Sequence, residues 1–155
     1  MVNLPPTRST LYLVLALAGS AMPAAGAETT EADTAFFRHA AACVAALERD
    51  ATTMAGRYQS GDRSVKPGLV KLTEQGFSFV GKAYLRGLRK EEADRLTAEA
   101  RENQKAMAPA ALQKLSTDCQ AEGGRLYGQA SALEQAVVSN RAKARVEKLL
   151  AKKNS

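Results

Sequence analysis

Histidine is almost missing from this chain. One residue, His39, serves all 155 positions, so no imidazole cluster is available to complete a zinc or copper site. Tryptophan is absent and aromatic residues make up 5% of the chain, which leaves most of the packing to alanine and leucine. There are two cysteines, Cys43 and Cys119, and no Cys-x-x-Cys-His, so covalent haem attachment is excluded and a single intramolecular pairing is possible. Beyond the first residues no apolar run approaches the length of a membrane span. Strand-like alternation, internal repeats and low-complexity segments are missing too. Neither a glycine-rich phosphate loop nor a Gly-x-Ser-x-Gly elbow is present.

What is there begins with a targeting pattern. Arg8 and the free amine precede a short apolar run over 11–18, and Ala25, Gly26 and Ala27 offer small residues before Glu28. Residues 1–27 are expected to be a cleaved secretory signal peptide, with a periplasmic or secreted destination. No cysteine follows the cut, which argues against the bacterial lipoprotein route. Removing 27 of 155 residues leaves 128, enough for one domain with one core.

The mature chain reads as helix throughout. Phe36, Ala40, Cys43, Leu47 and Met54 recur at helical spacing over about 34–58, with Arg38, Glu48 and Asp50 placed off that stripe. The turn-rich 59–64 follows, and Pro67 suits the start of a second helix over about 67–88. There Gly76, Val80, Ala83 and Gly87 form a small-residue row that favours close helix packing, with a ligand pocket as the sharper reading. A third helix starts at Glu91 and Glu92 and turns Ala93, Leu96, Ala100 and Met107 inward. From Pro109 the stripe Leu112, Leu115, Cys119, Gly123, Leu126, Ala130, Leu133 and Val137 keeps phase through three glycines. It predicts one long fourth helix, kinked or continuous, with Ser139 and Asn140 as the alternative boundary.

The two cysteines occupy equivalent positions on the inward stripes of the first and fourth helices. In an oxidising compartment they are expected to pair. Closing a loop of about 77 residues should stabilise by about 4 to 5 kcal/mol in the chain-entropy description. The expected fold is all-α: an antiparallel four-helix bundle with a possible fifth C-terminal helix, stapled by the disulfide Cys43–Cys119.

Candidates for chemistry are few. His39 and Cys43 lie four apart on one helix face, the spacing of a thiol–imidazole dyad or a soft-metal pair, although both readings need a reduced thiol. Non-covalent haem on His39 and Met54 is ruled out by distance, since fifteen residues of helix rise about 22 Å. Met107 could approach only in some topologies. No cofactor and no metal site is assigned. Asp118, next to Cys119, reads as a surface side chain.

Charge is the stronger signal. Glu28 to Asn140 holds fifteen basic and fifteen acidic side chains, whereas Arg141 to Ser155 holds six basic and one acidic, net +5. Arg141, Arg145, Lys148 and Lys152 form one basic stripe beside Val138, Ala142, Val146 and Leu149. That pattern suits an anionic lipid surface or an acidic protein partner, or simply a solvated bundle helix. Nucleic acid is not expected, because no aromatic residues interleave with these charges. Residues 28–140 are therefore read as a helical bundle and 141–155 as a basic amphipathic tail. The expected function is that of a non-enzymatic exported binding protein, chaperone-like or envelope-associated, and a homodimer is an option. The alternative is a periplasmic ligand or metal carrier with a cavity near His39, Gly76, Gly81 and the cysteines.

Overall fold

The fold is given by a computed structural model that describes residues 29–151. The expected signal segment, Lys152 and Lys153 lie outside the described residues. In order, the elements are α1 Glu31–Gln59, a 3-10 turn Arg63–Val65, α2 Lys66–Leu85, α3 Lys90–Lys105, α4 Pro109–Gln129 and α5 Ala132–Ala151. No strand occurs among the described residues. The fold is all-α, as the periodicity predicts.

Local chemistry sets the helix ends. Thr30 caps α1 by accepting from the Asp33 amide at 3.1 Å, with Glu31 and Asp33 in the positive first turn. Both α1 and α2 stop at a glycine in the left-handed region, Gly61 at φ 108° and Gly87 at φ 93°. At each, two amides reach back to carbonyls of the last turn: Gly61 to Tyr58 and Asp62 to Arg57, then Gly87 to Tyr84 and Leu88 to Ala83. This paired closure needs a residue without a Cβ penalty. Leu88 follows it into the core, 7% exposed. Pro67 and Pro109 occupy first turns, where a missing amide costs nothing.

The long fourth helix does not form. The chain breaks at Ala130, whose backbone is extended, and Ser131 starts α5. The Ser131 hydroxyl accepts from the Glu134 amide at 3.3 Å, while the Glu134 carboxylate accepts from the Ser131 amide at 2.7 Å. This reciprocal capping box settles the boundary. The Ser131 hydroxyl also donates to the Glu134 carboxylate at 2.7 Å, and this bond, with the one from the Ser131 amide, holds that carboxyl below its ordinary pKa. Because α5 starts afresh, the stripe loses phase, and Leu133 and Val137 are 76% and 45% exposed instead of buried. Ser139, the other boundary considered, lies within α5. Its hydroxyl donates to Glu74 Oε1 at 2.6 Å and lies 2.8 Å from the Tyr127 hydroxyl, tying α2, α4 and α5 together.

Around α1 the other helices assemble. Phe37, Ala40, Ala41, Cys43, Ala45, Ala46, Leu47, Ala51 and Ala55 are buried, and this spread covers most of the helix circumference. Partners along α1 and α2 run in opposite order, Asp33 meeting Arg86 and Met54 meeting Gly68. The same holds for α1 with α4, where His39 meets Glu122, Cys43 meets Cys119 and Asp50 meets Ser116. It holds again for α2 with α5, through Lys66 with Glu147 and Glu74 with Ser139. α3 covers α1 from outside through buried Leu96, and Gln104 donates to the Ala42 carbonyl at 2.9 Å. The disulfide Cys43–Cys119 joins α1 to α4 with a Cα separation of 5.2 Å, and both cysteines are buried.

Close backbone approach occurs at a different glycine from the one expected. A Cβ on Gly123 would lie 2.8 Å from Gln75 Cβ and 3.0 Å from its carbonyl oxygen, so α4 meets α2 there nearly backbone to backbone. At Gly76 nothing lies within 4 Å of an added Cβ. Gly87 is the α2 cap, not a packing residue.

Gly76→Ala is therefore expected to stabilise the protein by about 0.5 to 1 kcal/mol through helix propensity alone. Gly123→Ala, which forces a methyl onto Gln75, is expected to destabilise by about 1 to 3 kcal/mol. Urea unfolding of both variants checks the pair. Reducing the disulfide, or making Cys43→Ala with Cys119→Ala, should lower stability by as much as about 4 to 5 kcal/mol. The same denaturation with and without reductant measures it.

Candidate functional site

Three places could carry function, and each is built from helix faces brought together by the bundle. The first surrounds the disulfide. His39, one turn before Cys43 on α1, has Nε2 3.7 Å from Cys43 Sγ and 2.7 Å from Glu122 Oε2 on α4. Its ring meets Phe79 edge-on, with centroids 6.0 Å apart. The histidine side chain is 45% exposed, a half-wet boundary residue packed over a covalent bond. With both sulfurs joined, neither a thiolate nucleophile nor a thiolate ligand is present. No group of three or more His, Cys, Asp or Glu able to hold a metal ion occurs among the described residues. Asp118 points outward and pairs with Lys114 at 2.6 Å.

Beside the disulfide lies a polar network that the apolar stripes do not reveal. Asp50 accepts from Ser116 and, through its other oxygen, from Arg49 Nε and Nη2 at 3.1 and 2.8 Å. Gln120 Nε2 donates to the Ser116 hydroxyl at 3.1 Å. Ser116 is fully buried, and Arg49 Nη1 is buried with no partner. Asp50 was expected off the stripe, yet it turns in toward α4. The signal was in the spacing: Asp50 lies seven residues after Cys43 and Ser116 three before Cys119, so both fall on the disulfide face.

The second place is α5. Ala142 and Val146 are buried against the bundle, and Val138 and Leu149 are half-buried beside them. Arg141, Lys143, Arg145 and Lys148 are exposed. None of them enters an ion pair with a described carboxylate, whereas Glu147, the only acidic residue of the tail, is bound by Lys66 at 2.7 Å. Glu147 also holds the Lys66 ammonium above its ordinary pKa through that hydrogen bond. The amphipathic pattern is thus resolved into an apolar face covered by α2 and a basic face turned to water. Lys152, the fourth member of the stripe, lies outside the described residues.

The third place is a cavity of about 400 Å³ at the α1–α2 seam, reached by α3 and α5. Leu47, Ala51, Leu72, Phe77 and Val80 wall it, Gly76 opens it, and Arg49, Arg101, Arg145 and Glu48 line it. Of the residues expected around one cavity, His39, Gly76, Gly81, Cys43 and Cys119, Gly76 alone lines this one. His39, Cys43 and Cys119, expected to share it, do not line it. Gly81 is exposed and also apart from it.

No protein-family model matches the chain, and neither a curated protein nor a solved structure matches it. Among the described residues no helix is long and apolar enough to cross a membrane. A disulfide-bonded helical fold of this kind is compatible with an extracellular protein.

Asp50→Ala should leave Ser116 and Arg49 without their shared acceptor and cost about 2 to 3 kcal/mol. Ser116→Ala in the same background should add little, because the pair acts as a unit. A double-mutant cycle by chemical denaturation reads both numbers.

Proposed function

We propose that this chain is an exported, non-enzymatic protein that acts by binding, and that it meets an anionic surface of the cell envelope through the basic face of α5. The observation that carries this reading is the exposure of Arg141, Arg145 and Lys148 together, with no described carboxylate paired to any of them. Elsewhere the described charges pair extensively, for instance Arg57 with Asp62 and Arg95 with Glu99. Over 138–149 the apolar face of α5 is turned to the bundle through Val138, Ala142, Val146 and Leu149, so contact along Arg141, Arg145 and Lys148 rests on charge. Each basic residue near an anionic bilayer contributes about 1 kcal/mol, falling off within a Debye length. The leader pattern over 1–27 supports export, and an oxidising compartment suits the disulfide. An acidic partner protein, as a chaperone-like factor would meet, is the alternative occupant of the same face.

Sedimentation with vesicles tests this. The reduced-charge variant Arg141→Gln with Lys148→Gln leaves Arg145 in place, because Arg145 also lines the cavity. The protein should co-pellet with phosphatidylglycerol vesicles at low salt, remain free of phosphatidylcholine vesicles, and dissociate as salt rises. The double variant should bind about 30-fold more weakly, corresponding to about 2 kcal/mol. Equal pelleting with neutral vesicles, or a variant that binds like the parent, would overturn the proposal.

A further inference from the structure

The cavity at Gly76 has a composition of its own, independent of the outer face of α5. The hollow is partly open to solvent, and its volume of about 400 Å³ falls in the range of sites that take small organic ligands. Its walls are aliphatic and aromatic: Leu47, Leu72, Phe77, Val80 and, from α5, Leu149. Hydrocarbon placed against these walls removes apolar surface from water, which is favourable.

Its charges are unbalanced in one direction. Arg49, Arg101 and Arg145 line it together with Glu48. Glu48 is bound by Arg101, and Asp50 binds Arg49. Arg145 has no carboxylate partner among the described residues, which leaves one formal positive charge uncompensated at the cavity. Arg49 adds a second sign of incompleteness, because its Nη1 is buried without an acceptor while its other two nitrogens hold Asp50. A buried guanidinium N–H without a partner is unfavourable unless something supplies one.

We infer that this cavity is a binding site for an amphiphilic monoanion, a linear alkyl carboxylate whose chain fills the apolar hollow and whose head is met by the arginines. One carboxylate neutralises the one unpaired guanidinium and brings acceptor oxygens to the arginine cluster. The alkyl chain replaces water along Leu72, Phe77 and Val80. Gly76 keeps the space open, since a side chain there would project where no atom now stands.

Titration calorimetry of the full disulfide-bonded mature protein with dodecanoate, kept below its micelle concentration, tests this. Dodecanoate should bind saturably with one equivalent, at least tenfold more tightly than dodecanol or dodecyltrimethylammonium, and acetate should give no measurable heat. Arg145→Gln, at an exposed position, should weaken dodecanoate about tenfold while leaving the melting temperature unchanged. Gly76→Leu, which fills the hollow, should abolish binding. Arg141→Gln with Lys148→Gln should not affect it, which separates this site from the envelope-facing surface. Equal affinity for the alcohol, binding of acetate as strong as dodecanoate, or indifference to Arg145→Gln would each overturn the assignment. If Gly76→Leu does not fold, the Arg145 variant and the three comparison ligands still decide it.

Discussion

The bond between Cys43 and Cys119 fixes which face of α1 meets α4, and most of the remaining arrangement depends on that choice. With α1 buried over most of its circumference and built chiefly from alanines, there are few bulky side chains to enforce one rotation over another. The crosslink supplies what shape complementarity cannot. One turn to one side, His39 and Glu122 close over it. Two turns to the other, Asp50 and Ser116 make the second contact between the same helices. Gly123 then brings α4 onto Gln75 of α2, so three helices share one contact region.

Much of this could be read from residue spacing. The all-α class, the inward rows of α1 and α3, the pairing of the cysteines and the outward Asp118 all follow from periodicity, because burial on a helix repeats with its turn. The break at Ala130 is set by capping and is hidden from apolar phase. Gly128 and Ser131-Ala-Leu-Glu134 carried the stop and start signals, but Leu133 and Val137 happened to continue the older stripe. Gly76 and Gly123 were indistinguishable in sequence for a different reason. Whether a glycine admits a neighbouring backbone or leaves a hollow depends on what the other helix places opposite, and no local pattern encodes that.

The charge pattern was legible as composition but not as geometry. Fifteen residues carrying all the net charge of residues 28–155 look like an appended tail. In the fold, however, the basic stripe belongs to a helix that starts nine residues earlier and shares its apolar face with α2. The arginines at the cavity come from α1, α3 and α5, 44 residues apart at the nearest. Only the packing of helices around α1 brings them to one wall, and it does so beside Gly76, away from the histidine and the sulfurs that attracted attention in the sequence.

α5 occupies a distinctive position in the covalent topology. The loop closed by the disulfide runs from residue 43 to residue 119 and contains all of α2 and α3, whereas α5 begins at Ala132, beyond it. Its hold on the bundle includes buried Ala142 and Val146, half-buried Leu149 and Leu150, the Ser139 hydrogen bonds and one ion pair to Lys66. Such an element can open as a unit with a free energy below that of global unfolding. Arg145 and Leu149 would leave with it, exposing one side of the cavity while the crosslinked part of the chain stays folded. The wall that completes the hollow is thus also the part of the molecule best placed to swing away from it.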